Sequence, residues 1–194
     1  MGELLTKQPL VEALCELKFS PSDKWGTDLP ELFYTQVKDE FPECTTLTPV
    51  SFQFAVGEAI DMPEPAKALP RQQLRNKDNS VVVQIGADLL VENHLQPYTN
   101  WENFRDLILR MGSKYVELIG EVKLERVGLR YINHISPPEG RFDIEQFLSV
   151  FPILPSPLNL DLAGFSQVYE FQYVQPKAIL KHQTGVVHNI PKLS

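Results

Sequence analysis

The feature that most constrains the fold is an alternating stretch from Pro9 to Phe19, PLVEALCELKF. Every second residue is apolar, and the positions between them include Glu12, Glu16 and Lys18. Because successive side chains of a strand point to opposite faces, this pattern predicts a strand with one face in a hydrophobic core. The residues predicted to face the core are Val11, Ala13, Cys15, Leu17 and Phe19.

Two stretches have the three-to-four residue apolar spacing of an amphipathic helix. The first follows Asp28, runs from Leu29 to Phe41 and stops before Pro42. The second and clearer one begins near Trp101, where Thr99 and Glu102 have the spacing of a capping box. Its apolar positions are Trp101, Phe104, Ile108, Met111, Tyr115 and Leu118.

The remaining patterns predict further strands. One covers 50–57, a hairpin turn at 76–79 separates two others, and the second of these is a long strand over 81–95. Another covers 126–135, and two more lie within 164–187. A short helix is predicted over 142–151, beside a proline-rich loop.

This order of elements predicts an α+β protein, with a mainly antiparallel sheet and two principal helices packed on it. The length of 194 residues suits a single domain over 1–194. Sub-halves 1–78 and 79–194 are an alternative division, because Trp25 and Trp101 each precede a helix in a β-α-β pattern that recurs after about 76 residues. This recurrence indicates a weak internal duplication.

Composition limits the functional classes. Eighteen basic and 25 acidic residues give a net charge of -7, which argues against nucleic-acid or anionic membrane binding. No apolar run approaches the length of a membrane span, and we expect a cytoplasmic protein with reduced cysteines. Its expected partners are another protein or a second copy of the chain.

No compact catalytic or metal motif stands out. The four histidines, His94, His134, His182 and His188, lack the spacing of a metal site. Ser166 lacks the second glycine of a nucleophile elbow. We therefore predict no cofactor, no metal and no catalytic residue, while the question of enzymatic activity stays open.

The stretch ERVGLRYINHI, residues 125–135, contains the main candidate site. Val127, Leu129 and Tyr131 alternate as a core-facing set, and the other face carries Arg126, Gly128, Arg130 and His134. One interpretation is a structural ion-pair ladder with the first strand. An antiparallel register could place Glu12 opposite Arg130, Glu16 opposite Arg126 and Leu14 opposite Gly128, so that charges within apolar strands are paired.

The second interpretation is a ligand-binding site for a small anion. Arginine binds carboxylates and phosphates with two parallel hydrogen bonds, so Arg126, Arg130 and His134 are the candidate ligand-binding residues. Simple solvent exposure of these side chains is a third interpretation.

The motifs PLVEALCELKF and RVGLRYIN, together with Trp25 and Trp101, resemble a sporadically distributed family of uncharacterised bacterial and archaeal proteins. Its strand motifs have the forms P-L-x-E-x-x-x-E-x-x-F and R-x-G-L-R-Y-x-N, and the resemblance covers roughly residues 8–190. It implies no particular activity, but the patchy distribution indicates a defence-related setting. Members of this family usually continue through another strand and a closing helix, so we expect a short member or a truncated C-terminus.

These observations favour a non-enzymatic binding or interaction protein, an accessory component of a prokaryotic defence-related system. The alternative is a sensor or hydrolase for a small anionic ligand held by Arg126 and Arg130.

Overall fold

A computed structural model describes residues 8–22, 24–26, 28–47, 71–135 and 165–185. The predicted strand over 50–57, the helix over 142–151 and the proline-rich loop lie outside the described residues. The chain divides into two compact units, Met1–Ser136 and Pro137–Ser194. The assignment of one domain to 1–194 stays a prediction.

The described part of the first unit is a six-stranded sheet with two helices, which confirms the predicted α+β class. Every pair of neighbouring strands is antiparallel, in the order β2-β3-β4-β5-β1-β6. The elements are β1 (Leu10–Phe19), α1 (Leu29–Val37), β2 (Glu43–Leu47), β3 (Arg71–Arg75), β4 (Val81–Gly86), β5 (Leu89–Leu95), α2 (Trp101–Ile119) and β6 (Leu124–Asn133).

The single strand predicted over 81–95 was wrong, because the chain reverses direction within it. β4 and β5 form a hairpin in which Val81 pairs with His94 and Gly86 pairs with Leu89. One strand of that length would extend roughly 50 Å, far beyond the usual strand in a small domain. The turn at Ala87 and Asp88 is fixed from β1, since the Phe19 N–H donates to the Asp88 carbonyl at 2.9 Å.

The hydrophobic core lies between one face of the sheet and the two helices. The alternation predicted for the first strand is confirmed from Ala13 onward, because Ala13, Cys15, Leu17 and Phe19 are buried. It fails at the start of the strand, where a register shift lies between Leu10 and Glu12, Val11 is only half-buried, and Leu10 packs against the core instead. Burial also raises the pKa of the Cys15 thiol to about 12. The helices contribute Phe33, Val37, Phe104, Leu107, Ile108, Met111, Tyr115 and Ile119, and the other strands contribute Leu74, Val83, Ile85 and Leu90.

Helix α2 is capped one residue later than the sequence predicted. The predicted capping box used Thr99, but the Asn100 side chain accepts from the Asn103 N–H at 2.8 Å. Asparagine is as good an N-cap as serine and better than threonine, so the neighbouring residue takes the position.

In the middle of the sheet, the Tyr115 hydroxyl donates to the Gly86 carbonyl at 2.8 Å and ties α2 to the β4–β5 turn.

The second unit contains a hairpin of β7 (Ser166–Tyr173) and β8 (Ala178–Gly185), which confirms the two strands predicted there. Its register places Tyr169 opposite His182 and Phe171 opposite Leu180. One face of the hairpin is therefore largely aromatic and aliphatic, and Phe171 and Leu180 are exposed.

Candidate functional site

Strand β6 is an edge of the sheet, with β1 as its single neighbour among the described strands. Its register pairs Ala13 with Tyr131, Cys15 with Leu129 and Leu17 with Val127. Since the odd-numbered residues of β1 face the core, their partners in β6 lie on the same side of the sheet as the helices. We call this side the helix face and the opposite side the outer face.

The three apolar residues on the helix face of β6 were predicted to lie in the core, and this was wrong. Val127 is 58% exposed, Leu129 is 47% exposed and Tyr131 is 42% exposed. The pattern correctly identified which side of the strand is apolar. The helices, however, cover the centre of the sheet, and β6 lies beyond them at its edge. We call Val127, Leu129 and Tyr131 the β6 shelf.

Helix α2 borders this shelf. A Cβ atom on Gly112 would lie 3.4 Å from Cδ1 of Leu17, so this side of α2 faces β1, the neighbour of β6. Val116, one turn further on, and Trp101, three turns earlier, share roughly this side, and both are exposed. Exposed apolar side chains are therefore present on this side of α2 as well as on the shelf.

Tyr98 joins the start of α2 to the shelf. Its ring meets that of Tyr131 edge-on, with centroids 6.1 Å apart, and it also contacts Phe104 at 6.1 Å. Burial raises the pKa of the Tyr98 hydroxyl above its ordinary value, and a hydrogen bond with Tyr131 adds to the shift. The Tyr98 hydroxyl therefore stays neutral at physiological pH, and the two rings present an aromatic surface.

The outer face of β6 contains the two predicted site arginines. β1 and β6 are antiparallel neighbours, as the ion-pair interpretation required, but their register differs by two residues from the one that it assumed. Arg130 lies opposite Leu14, and Gly128 lies opposite Glu16. A Cβ atom on Gly128 would be 3.8 Å from Glu16 Cβ, so the absence of a side chain at Gly128 leaves room beside Glu16.

This register forms one of the two predicted ion pairs. Glu16 reaches diagonally to the guanidinium of Arg126 and accepts a hydrogen bond from it. The pair between Glu12 and Arg130 is not formed, because Glu12 instead accepts from the side-chain amide of Asn93 on β5. Within the described part of the chain, Arg130 has no ion pair and no side-chain hydrogen bond.

His134 does not join the arginines in a compact site. It follows the end of β6, where its backbone N–H donates to the Pro9 carbonyl at 2.7 Å. At about 3.3 Å per residue, a strand places His134 roughly 26 Å from Arg126 and about 13 Å from Arg130. The three residues could contact an extended partner, whereas a single small anion could reach only one or two of them.

Glu92 is a buried charged residue that the sequence reasoning missed. It lies on β5 opposite both Cys15 and Val83, with none of its surface exposed, on the helix face of the sheet. Neither carboxylate oxygen has a hydrogen-bond partner among the described residues. Burial therefore raises its pKa well above the ordinary glutamate value. The sequence contained a signal for this burial: Glu92 follows Leu90 by two residues and therefore lies on the same face of the strand, in an otherwise apolar run.

Three comparisons with known proteins gave no match: no family model, no curated protein and no solved structure matches the chain. Among the described residues, no group of three or more histidine, cysteine, aspartate or glutamate side chains could hold a metal ion. None of the described helices is long and apolar enough to cross a membrane.

Proposed function

We propose that this protein is a non-enzymatic binding protein that pairs with another protein through strand β6. The observation that carries the proposal is the exposure of the whole β6 shelf on a strand whose second edge has no neighbour among the described strands. An edge strand presents unpaired N–H and C=O groups, and proteins normally shorten, charge or cover such an edge. Here the edge is ten residues long and apolar on one face.

A partner strand added to β6 would both pair with its backbone and cover its apolar side chains. Its backbone would pair with the free N–H and C=O groups of β6, and its apolar side chains would cover the shelf. Peptides and proteins commonly bind exposed sheet edges in this way, with affinity from the main chain and specificity from alternate side chains.

The biological setting belongs to the same proposal. The motifs in β1 and β6 resemble those of the sporadic prokaryotic family, which supports a cytoplasmic accessory component of a defence-related system. The expected partner is then a protein encoded beside this one.

The test is co-purification of the tagged chain with the products of its neighbouring genes. Leu129→Lys places a charge in the middle of the shelf, and we expect it to abolish a complex that the wild-type chain forms. Leu32→Lys is the matched control, because Leu32 is an equally exposed leucine on α1 and lies outside the shelf. A complex that survives Leu129→Lys, or a wild-type chain that recovers no neighbour, would refute the proposal.

A second candidate function is favoured by Arg130. Its guanidinium has no ion pair within the described part of the chain, so it can bind a carboxylate or phosphate, as a sensor or hydrolase would require. Isothermal titration with inorganic phosphate tests this. The candidate survives if the wild-type chain binds phosphate and a folded Arg130→Ala variant does not, and it fails if the two chains behave alike.

A further inference from the structure

We infer that the free edge of β6 binds an extended segment in which two acidic residues enclose two apolar ones, in the order acidic, apolar, any, apolar, acidic. This inference rests on the proposed function and specifies the chemistry of the partner. It follows from the position of each side chain along β6 and from the charges on the outer face.

The alternation of β6 fixes where each partner side chain would point. Residues paired across two strands lie on the same face of a sheet. Partner residues opposite Val127 and Leu129 therefore lie over the shelf and are expected to be apolar. Partner residues opposite Arg126 and Arg130 lie on the outer face, with the residue opposite Gly128 between them.

The charges on the outer face favour acidic residues at those two positions. Arg126 forms an ion pair with Glu16, whereas Arg130 has no ion pair within the described part of the chain. The chain as a whole has a net charge of -7, so acidic peptides are repelled by the molecule in general. Attraction of such a peptide would therefore be specific to this short stretch of β6.

The occupied edge of β6 shows that an acid can reach Arg126 from a neighbouring strand. On that edge, Lys18 of β1 lies opposite Arg126 and Leu14 lies opposite Arg130, so neither arginine has an acid directly opposite it. Glu16, opposite Gly128, reaches diagonally to Arg126. An acidic residue directly opposite Arg130 would therefore have to come from the partner strand.

A second copy of the chain fits this edge less well. The outer-face residues of β6 are Arg126, Gly128, Arg130 and Ile132, and none of them is acidic. Pairing of two β6 strands in register on one continuous sheet therefore never places an acid opposite either arginine. An antiparallel pair centred on Gly128 even places Arg126 opposite Arg130, and like charges directly opposite are destabilising.

The experiment uses a fluorescein-labelled peptide, Ser-Thr-Glu-Val-Thr-Val-Glu-Thr-Ser, and a second peptide in which lysine replaces both glutamates. Fluorescence anisotropy measures the binding of each peptide to the full-length chain. We expect the glutamate peptide to bind the wild-type chain at least about tenfold more tightly than the lysine peptide, because two charge pairs change sign.

Charge reversal at Arg130 provides the decisive comparison. Arg130→Glu should weaken the glutamate peptide about tenfold and strengthen the lysine peptide, a rescue that a misfolded variant would not show. Lys77→Glu is the control, because Lys77 is exposed in the β3–β4 turn, three strands from β1, and should change neither affinity. Circular dichroism confirms that each variant is folded.

Two results would overturn the inference. The first is equal binding, or no binding, of the glutamate and lysine peptides to the wild-type chain. The second is preferential binding of the glutamate peptide that Arg130→Glu leaves unchanged. If Leu129→Lys still abolishes the complex with a protein partner in either case, the proposed function stands and only the acidic chemistry is refuted. A complex that never depends on Leu129 refutes the proposed function itself.

Discussion

Replacement of Glu92 by glutamine should make the stability of this protein less sensitive to pH. Glu92 is fully buried between Cys15 and Val83, and its two carboxylate oxygens have no hydrogen-bond partner among the described residues. Burial of an unpaired carboxylate is so costly that the group binds a proton instead, and its pKa is raised well above the ordinary value of 4.5.

The sign of the pH effect follows from this shift. Below the ordinary pKa, Glu92 is protonated in both the folded and the unfolded chain, and its contribution to stability is fully present. Above it, the unfolded chain releases the proton while the folded chain retains it. The free energy of unfolding then falls by about 1.4 kcal/mol for each pH unit, until the folded carboxyl also ionises.

Urea unfolding of the wild-type and Glu92→Gln chains at a series of pH values from 5 to 8 measures this effect. As the pH rises, the free energy of unfolding of the wild-type chain should fall relative to that of the glutamine variant, by up to about 1.4 kcal/mol per pH unit. Glu117→Gln, an exposed position on α2, should show no such trend. A constant difference between the wild-type and Glu92→Gln chains would refute the reasoning, since it would mean that the folded protein accommodates the carboxylate.

Two hydrogen bonds outside the proposed site give further predictions. Asn100→Ala removes the acceptor for the Asn103 N–H and should destabilise the chain by about 1 kcal/mol in urea unfolding. An unchanged unfolding midpoint would show that the Asn100 side chain does not stabilise the start of α2. Tyr115→Phe removes the hydroxyl that donates to the Gly86 carbonyl and should cost about 1–2 kcal/mol in the same assay. A smaller loss would mean that this carbonyl finds another donor.

Much of the fold could be predicted because the patterns are local. The alternation in β1 and the helical spacing in α2 each depend on neighbouring residues, and both elements have the predicted faces. The reversal at Ala87 and Asp88 was missed because apolar residues run through both flanking strands, so periodicity alone could not separate them. The exposure of Leu129 was missed for another reason: it depends on how far the helices extend across the sheet.

The candidate site shows why the faces of two strands are easier to predict than their register. A shift of two residues leaves every side chain on its original face, so alternation cannot distinguish the predicted pairing of β1 with β6 from the observed one. The prediction assumed that the charges alone set the register. The structure instead places Gly128 beside Glu16 and lets Asn93 of β5 hydrogen-bond to Glu12, an interaction that the two strands alone could not reveal.

This register has a direct consequence for binding. With both acids of β1 already hydrogen-bonded elsewhere, to Asn93 and to Arg126, Arg130 has no acid left on β1 with which to pair. The predicted ladder would have neutralised both arginines and left β6 an edge that is apolar on one face and electrically balanced on the other. The observed pairing leaves Arg130 without an ion pair among the described residues on the outer face, while the apolar shelf is exposed on the helix face. Under the proposed function, this combination would favour an acidic partner strand over one that is only apolar.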